Sequence, residues 1–493
     1  MPNDLSIPLD PQSCYAAIHS RDARFDGRFF VGVSSTGVYC RPICRVKTPR
    51  PENCSYFPSA AAAEAAGYRP CLKCRPELAP GLSPAEAPAR LARLAALKMD
   101  EDGLADSGLA RLAESLGVTD RHLRRVFLAE YGAPPVKYLQ TRRLLLAKNL
   151  LTDTSLTVTE AALAAGFGSL RRFNDLFRKH YRLSPTDLRK QGREQSGTPA
   201  EGLTLLLGYR PPYDWAGMLD FLAGRSIPGL ESVADDSYRR TVDLPHPSGR
   251  IRGWLALAQR PTRNALALTI APALLPALPR VLARIRSMFD LDCQPLVIRE
   301  TLAGLDEIKA GLHRPGLRLP GCFDPFEMSV RAILGQQITI KAARTLAGRL
   351  AAAFGEPLST PFEDLSRTFP GPADLLRLGP DLSDHLGPLG IIGARCRSIA
   401  ALARALTEGE ISLSPGSDPE AEMSRLLALP GFGPWTVQYI AMRALNWPDA
   451  FPHTDYGVKK ALEGRGPAEI LALAEAWRPW RSYATMSLWK SLE

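Results

Sequence analysis

The chain has no apolar run long enough to cross a bilayer, because proline breaks its most apolar region, residues 271–285. Its amino terminus, MPNDLSIPLD, lacks a basic region followed by an apolar stretch, so no signal peptide and a cytoplasmic protein are expected. Excess negative charge is missing too. The formal charge is +10, which excludes little by itself but favours a polyanionic partner. Cysteine is sparse outside one region: of nine in 493 residues, five lie between Cys40 and Cys74. In a reducing compartment such clustering points to a metal rather than to disulfides. At this length, with 45% hydrophobic residues, three or four ordinary domains are expected.

What is present begins with two close cysteine pairs. Cys40-Arg-Pro-Ile-Cys44 and Cys71-Leu-Lys-Cys74 are separated by 26 residues, and each pair can place two sulfurs on one side of a zinc tetrahedron. Cys14 and Cys54 lack a close partner and read as small buried apolar residues. On spacing alone the site is structural, since a closed four-sulfur shell has no vacant position for a substrate. The surrounding segments, RDARFDGRFFVGVSSTGVYCRPIC (21–44) and AAAAEAAGYRPCLKCRPE (60–77), resemble the amino-terminal domain of the Ada family of methylation sensors. That resemblance implies that Cys40 is a zinc thiolate that takes a methyl group from a DNA methylphosphotriester. Zinc keeps such a sulfur deprotonated and nucleophilic at neutral pH. Methylating one of four thiolates removes one of the site's two net negative charges, so DNA is repelled less and repair acts as a switch. Arg45, Lys47, Arg69 and the Thr36 hydroxyl are candidates to hold the phosphate, or else solvated surface.

Residues 81–108, rich in alanine and proline and then acidic, read as a linker with one helix over roughly 86–98. An internal repeat follows. Leu109–Leu116, a turn at Gly117 and Thr119–Glu130 make helix, turn, helix; Val158–Ala164, a turn around Gly166 and Ser169–His180 make it again. In each second helix the apolar residues share one face and leave Arg121, Arg125, Arg171 and Arg172 outward, a basic face suited to the major groove or simply to water. GFGSLRRFNDLFRKHYRLSPTDLR (166–189) resembles the second motif of AraC/XylS regulators, which implies promoter binding and, for an activator, contact with RNA polymerase. After a polar linker, 191–202, the expected order is a strand (203–209), a helix (213–223), three strands (237–244, 250–259, 264–271) and a helix (273–290). Cys293 and Cys322 are expected in the core.

The densest signal is Leu429–Asp455, LPGFGPWTVQYIAMRALNWPDAFPHTD. Gly431 and Gly433 permit a tight turn with outward amides, and Pro434 suits the first position of a helix. Such a helix start, with Thr436 in reach, accepts a DNA phosphate. Asp455, 22 positions after Gly433, stands where a new helix begins, so a cap and a functional carboxylate are both open on local chemistry. The segment resembles the helix-hairpin-helix signature of the DNA glycosylase superfamily. YRPPYDWAGMLDFLAGR (209–225), GLRLPGCFDPFEMSVRAILGQQI (316–338) and WRPWRSYATMSLW (477–489) resemble bacterial DNA-3-methyladenine glycosylase II, the AlkA type. This resemblance implies that Asp455 stabilises the sugar cation formed as an N3- or N7-methylated purine leaves. Trp435, Tyr439 and Trp489 would hold the flipped, electron-poor base by stacking and cation–π attraction, or else be core packing. Gln337, at the end of a helix expected over Asp324–Gln336, would be the wedge pushed into the duplex, or else a helix cap. Strand-cutting relatives carry lysine where Trp435 stands, so a monofunctional enzyme is expected. Some relatives have two adjacent acids at the catalytic turn, whereas His453 and Thr454 precede Asp455 here. The resemblance also implies a monovalent cation at the carbonyls of Leu427, Leu429 and Phe432.

The expected architecture is a small α/β zinc domain (1–80), an all-α tandem helix-turn-helix domain (85–192), an α+β TATA-binding-protein-like domain (203–290) and an all-α helix-hairpin-helix glycosylase domain (291–493). The whole is expected to be a nucleoid-associated monomer acting on double-stranded DNA, alkylated and promoter DNA alike, and on no membrane. The Pro-Cys-His-Arg motif of a second methyltransferase domain is absent, so repair of O6-alkylguanine is not expected. Two rivals stand beside this reading: a methylation-responsive regulator whose carboxy-terminal half only binds DNA, and a zinc site that is purely structural.

Overall fold

The computed structural model describes residues 11–21, 29–57, 60–74, 76, 87–102, 108–192, 202–246, 249–379, 381–414 and 417–492. Two compact units result, Met1–Ala95 with Leu109–Pro135, and Ala96–Gly108 with Val136–Glu493.

The first unit holds the cysteines in a four-stranded sheet, in the order Cys54–Phe57, Phe30–Val33, Val38–Cys40, Arg69–Pro70. The last strand runs parallel to Val38–Cys40 and the other pairs are antiparallel. Helix Pro11–Ser20 and the central strand share a small core of Cys14, Ile18, Phe29, Val31 and Val33. Cys14 is buried as expected, whereas Cys54 is half-buried. The first helix pair is Gly108–Ser115 and Asp120–Tyr131. Its turn uses Gly117 at φ 67°, and Thr119 caps the second helix by accepting from the His122 amide at 3.2 Å.

The second unit contains the repeat, Val158–Ala164 and Leu170–Tyr181, capped in the same way by Thr157 and Ser169. Helix Pro135–Asp153, which the two motifs leave unread, spans the interval between the pairs. Of the linker expected over 81–108, residues 87–102 are helical and 81–86 and 103–107 lie outside the described residues, as do 193–201 of the second linker. A five-stranded antiparallel sheet follows, in the order Leu203–Gly208, Ala265–Ile270, Gly249–Arg260, Ser237–His246, Glu231–Ala234. The short edge strand Glu231–Ala234 was not expected. The helix expected over 273–290 opens as a 3-10 segment, Pro272–Ala277, and becomes α-helical only at Leu278–Met288, because Pro276 and Pro279 cannot donate backbone hydrogen bonds.

From Pro295 on the chain is helical, packed on Val330, Ile333, Leu350, Ile399, Leu426 and Ile440. A buried ion network fastens this bundle to the sheet. Arg240 donates to Glu327 at 2.7 Å, Arg331 to Glu231 at 2.8 Å, and the Tyr238 hydroxyl to Glu231 at 2.5 Å. Glu327 and Arg331 lie on helix Pro325–Leu334, so the sheet fixes the helix that carries the turn through Gln337. The sheet thereby acts as a scaffold for that helix. Among the described residues no helix is long and apolar enough to cross a membrane.

Candidate metal centre and active site

Strand register builds the metal centre. Val38 pairs with Arg69 and Tyr39 with Pro70, so Cys40 and Cys71 leave adjacent parallel strands side by side; the Cys71 amide donates to the Tyr39 carbonyl at 3.0 Å. Short turns then bring Cys44 and Cys74 back. All four sulfurs lie within 4.8 Å of one another and are buried. Tetrahedral zinc with Zn–S bonds of about 2.3 Å needs sulfurs about 3.8 Å apart, so this donor set fits zinc. The Arg41 amide points at the Cys74 sulfur at 3.4 Å. Hydrogen bonding among the clustered thiols divides their protons unequally: bonds from Cys40 and then Cys74 pull the Cys44 thiol far below the usual range, while bonds with Cys44 and then Cys74 push the Cys40 thiol far above it. Arg45, Lys47, Arg69 and Thr36 are exposed, as are Arg121, Arg125, Arg171 and Arg172 on the second helix of each pair.

In the helical bundle, Leu429–Gly433 forms the tight turn. Gly431 takes φ 81°, and a Cβ there would lie 2.1 Å from the Ser398 hydroxyl, so only glycine fits. Gly433 precedes helix Pro434–Arg443 and has no side chain to cap it, which leaves the first-turn amides to a ligand. Thr436 is buried as a whole residue, and its hydroxyl accepts a hydrogen bond from Gln336.

Asp455 caps helix Tyr456–Ala461, as the local reading allowed, with Oδ1 accepting from the Gly457 and Val458 amides at 2.8 and 3.2 Å. It does more than cap. The indole of Trp435 donates to Oδ2 at 2.7 Å and that of Trp489 to Oδ1 at 2.8 Å. Four donors thus converge on one carboxylate and fix its orientation. Gly457 must be small, because a Cβ there would meet Trp489 at 2.7 Å.

Trp435 stacks on Tyr439 at 5.3 Å with 9° between planes, and Tyr439 meets Trp489 at 6.1 Å. The three rings lie together in the structure, and what surrounds them was not legible in the sequence. Phe221 stacks on Trp489 at 6.5 Å, Arg443 donates to the Tyr439 hydroxyl at 3.0 Å, and Tyr456 lines the same cavity. Burial pushes the Tyr439 phenol up, but the Arg443, Arg225 and Arg331 guanidiniums outweigh it and hold the group below its ordinary value. The cavity measures about 1090 Å³ and is lined by Asp455, Trp435, Tyr439, Trp489, Tyr456 and Gln337. That is room for a flipped nucleotide. Gln337 is no helix cap: helix Pro325–Leu334 ends at Gly335, and Gln337 sits exposed at φ 57° in the turn beyond it. Cys322 packs against the helical core, as expected, and Cys293 lies beside Asp290 and Arg318; both are partly exposed.

Family models match four successive stretches. They are the metal binding domain of Ada over 13–77, a helix-turn-helix domain over 112–191, the AlkA N-terminal domain over 204–324, and the HhH-GPD superfamily of base excision DNA repair proteins over 330–468. Fold and site together define a modular DNA repair protein, in which an Ada-type zinc module and a helix-turn-helix precede a helix-hairpin-helix base excision site. The chain is 41% identical, over 98% of its length and 97% of the relative's, to the probable bifunctional transcriptional activator/DNA repair enzyme AlkA of Mycobacterium tuberculosis, and it belongs to that family. It is 38% identical to DNA-3-methyladenine glycosylase 2 of Escherichia coli, over 57% of this chain and 95% of that one. It is 28% identical to the bifunctional transcriptional activator/DNA repair enzyme AdaA of Bacillus subtilis, over 39% of this chain and 87% of that one.

Proposed function

We propose that this protein is an adaptive-response repair protein that excises alkylated purines, 3-methyladenine and 7-methylguanine, from duplex DNA, and that it also takes a methyl group from methylphosphotriesters to regulate transcription. The observation that carries the first activity is the pair of indole donors that orient Asp455 at the wall of an aromatic cavity.

An N3- or N7-methylated purine is cationic and leaves readily, so the enzyme's work is to extrude it and to stabilise the sugar cation left behind. Trp435, Tyr439 and Trp489 take the electron-poor base by stacking and cation–π attraction. Asp455 supplies the negative charge opposite the developing cation and orients water. Gln337 enters the space the base vacates. The amides after Gly431 and Gly433, including that of Thr436, grip the phosphate, and the carbonyls of Leu427, Leu429 and Phe432 bind a monovalent cation. With tryptophan at 435 and no lysine there, the product is an abasic site and an intact strand.

At the other end, Cys40, Cys44, Cys71 and Cys74 hold zinc, which when bound keeps the sulfurs as thiolates. The Cys40 sulfur attacks the methyl carbon; the S–C bond forms as the O–C bond breaks, and a phosphodiester anion leaves. Arg45 and Lys47 hold the phosphate. The loss of one negative charge at the centre tightens binding to promoter DNA, read by Arg121, Arg125, Arg171 and Arg172, and an activator would then engage RNA polymerase. We place the domain boundaries at 1–80, 85–192, 203–290 and 291–493, and the protein as a monomer on DNA in the cytoplasm.

Two measurements test this. Free base should be released from methylated duplex DNA by the wild type, and at least about a hundredfold more slowly by Asp455→Asn; equal release would remove Asp455 from the mechanism. Exposure to methylated DNA should add the mass of one methyl group to the peptide carrying Cys40, and an unchanged mass would leave the zinc site structural.

A further inference from the structure

Gln336, the neighbour of the exposed Gln337, lines the same cavity and hydrogen-bonds to the hairpin. Its side-chain amide has two hydrogens, and both are used. Nε2 donates to the Gly431 carbonyl at 2.9 Å and to the Thr436 hydroxyl at 2.9 Å. These acceptors flank the corner of the hairpin whose amides face outward, one in the turn and one in the first turn of helix Pro434–Arg443. The Gln336 main-chain carbonyl in turn accepts from Arg395 at 2.6 Å. One helical turn further along the same helix, Ala394–Thr407, the Ser398 hydroxyl donates to the Pro430 carbonyl at 2.8 Å and fills the space a Cβ on Gly431 would need. Three segments distant in sequence therefore close into one frame around the hairpin. Within that frame the turn bearing Gln337, held at φ 57°, cannot shift against the hairpin without breaking both bonds of the Gln336 amide.

We infer that Gln336 is a positioning residue that locks the phosphate-gripping hairpin to the turn that enters the duplex, so that gripping the strand and extruding the base occur as one movement. The inference rests on the glycosylase reading above. Glutamine is the side chain the geometry asks for: glutamate has the same shape but no donor and would set a carboxylate against the Gly431 carbonyl, and alanine removes the link without adding charge.

The test uses the full-length protein on a duplex carrying 7-methylguanine beside the fluorescent base 2-aminopurine. Fluorescence on mixing reports extrusion, and single-turnover release reports excision. A second substrate holds the same lesion in a one-nucleotide bulge, where it is already unstacked. Gln336→Glu and Gln336→Ala should stay folded at the assay temperature, melting somewhat lower for want of two hydrogen bonds, and should bind the duplex much as the wild type does, while extrusion and duplex release fall by about thirtyfold. Release from the bulge should fall far less. Equal losses on duplex and bulge, or undiminished extrusion in both variants, would each overturn the proposal. A wild type that extrudes the base but releases none from either substrate would instead sink the glycosylase reading, and the extrusion signal would still decide the role of Gln336.

Discussion

The indole nitrogen of Trp435 lies 2.7 Å from Oδ2 of Asp455, and that of Trp489 lies 2.8 Å from Oδ1, so the two rings expected to hold the base also hold the carboxylate. Stacking and charge placement are thereby joined in the same side chains. Trp435→Phe and Trp489→Phe keep a ring but delete the donor. Each should slow single-turnover base release by about tenfold, the cost of one hydrogen bond to a charged group, and the alanine variants should lose more because stacking goes as well. Phenylalanine variants that work at the wild-type rate would show that the indole donors do not matter.

The parts that could be read from sequence were those set by local rules. Cys40, Cys44, Cys71 and Cys74 announced a four-sulfur centre by spacing, and register then brought Cys40 and Cys71 together. Thr119, Ser169 and Asp455 marked helix starts because short polar side chains satisfy first-turn amides there. What stayed hidden was contact between residues far apart in the chain. Phe221 on Trp489, Arg443 on Tyr439 and Gln336 on Gly431 follow from packing, and no spacing rule reports them. Phe221 did fall inside the matched segment 209–225, so a signal existed, but nothing local distinguished it from a core phenylalanine.

Metal binding and the fold of the cysteine module should be one event, because four clustered thiols have no reason to stay together unless a cation holds them. Cys71→Ser, or a strong chelator, should reduce the zinc content from one per chain and abolish the methyl gain on Cys40. Base release from methylated duplex should stay within about twofold, since that site is built from other residues. Loss of base release on chelation would show that the glycosylase site depends on the metal.

Glu327 sits between Arg240 and Arg331, with its side chain only 4% exposed. Deleting its charge leaves two guanidiniums sharing Glu231 alone, and breaking such a buried pair costs about 3–5 kcal/mol. Glu327→Ala should lower the denaturant midpoint of the carboxy-terminal transition accordingly, and base release at a fixed temperature should fall with the folded fraction. A midpoint that does not move would mean the network contributes no net stability.

Burial pushes the Asp290 carboxyl up to about 6, against hydrogen bonds from the Tyr483 hydroxyl at 2.7 Å and the Leu319 amide at 3.1 Å and against the nearby Arg318 guanidinium; the Cys293 thiol lies in the same cluster. A carboxyl that binds its proton more tightly in the folded state than its ordinary value of 3.8 adds stability that is fully present below that value and is lost as pH rises through about 6. Asp290→Asn keeps an oxygen for both donors and tolerates the φ of 50° found here, but it cannot ionise. Between pH 5 and pH 8 the wild type should therefore lose roughly 1–2 kcal/mol relative to Asp290→Asn. Chemical denaturation of both proteins at the two pH values measures this difference. A constant gap between them would show that Asp290 does not titrate in that window, the result expected if Arg318 holds the carboxylate charged throughout.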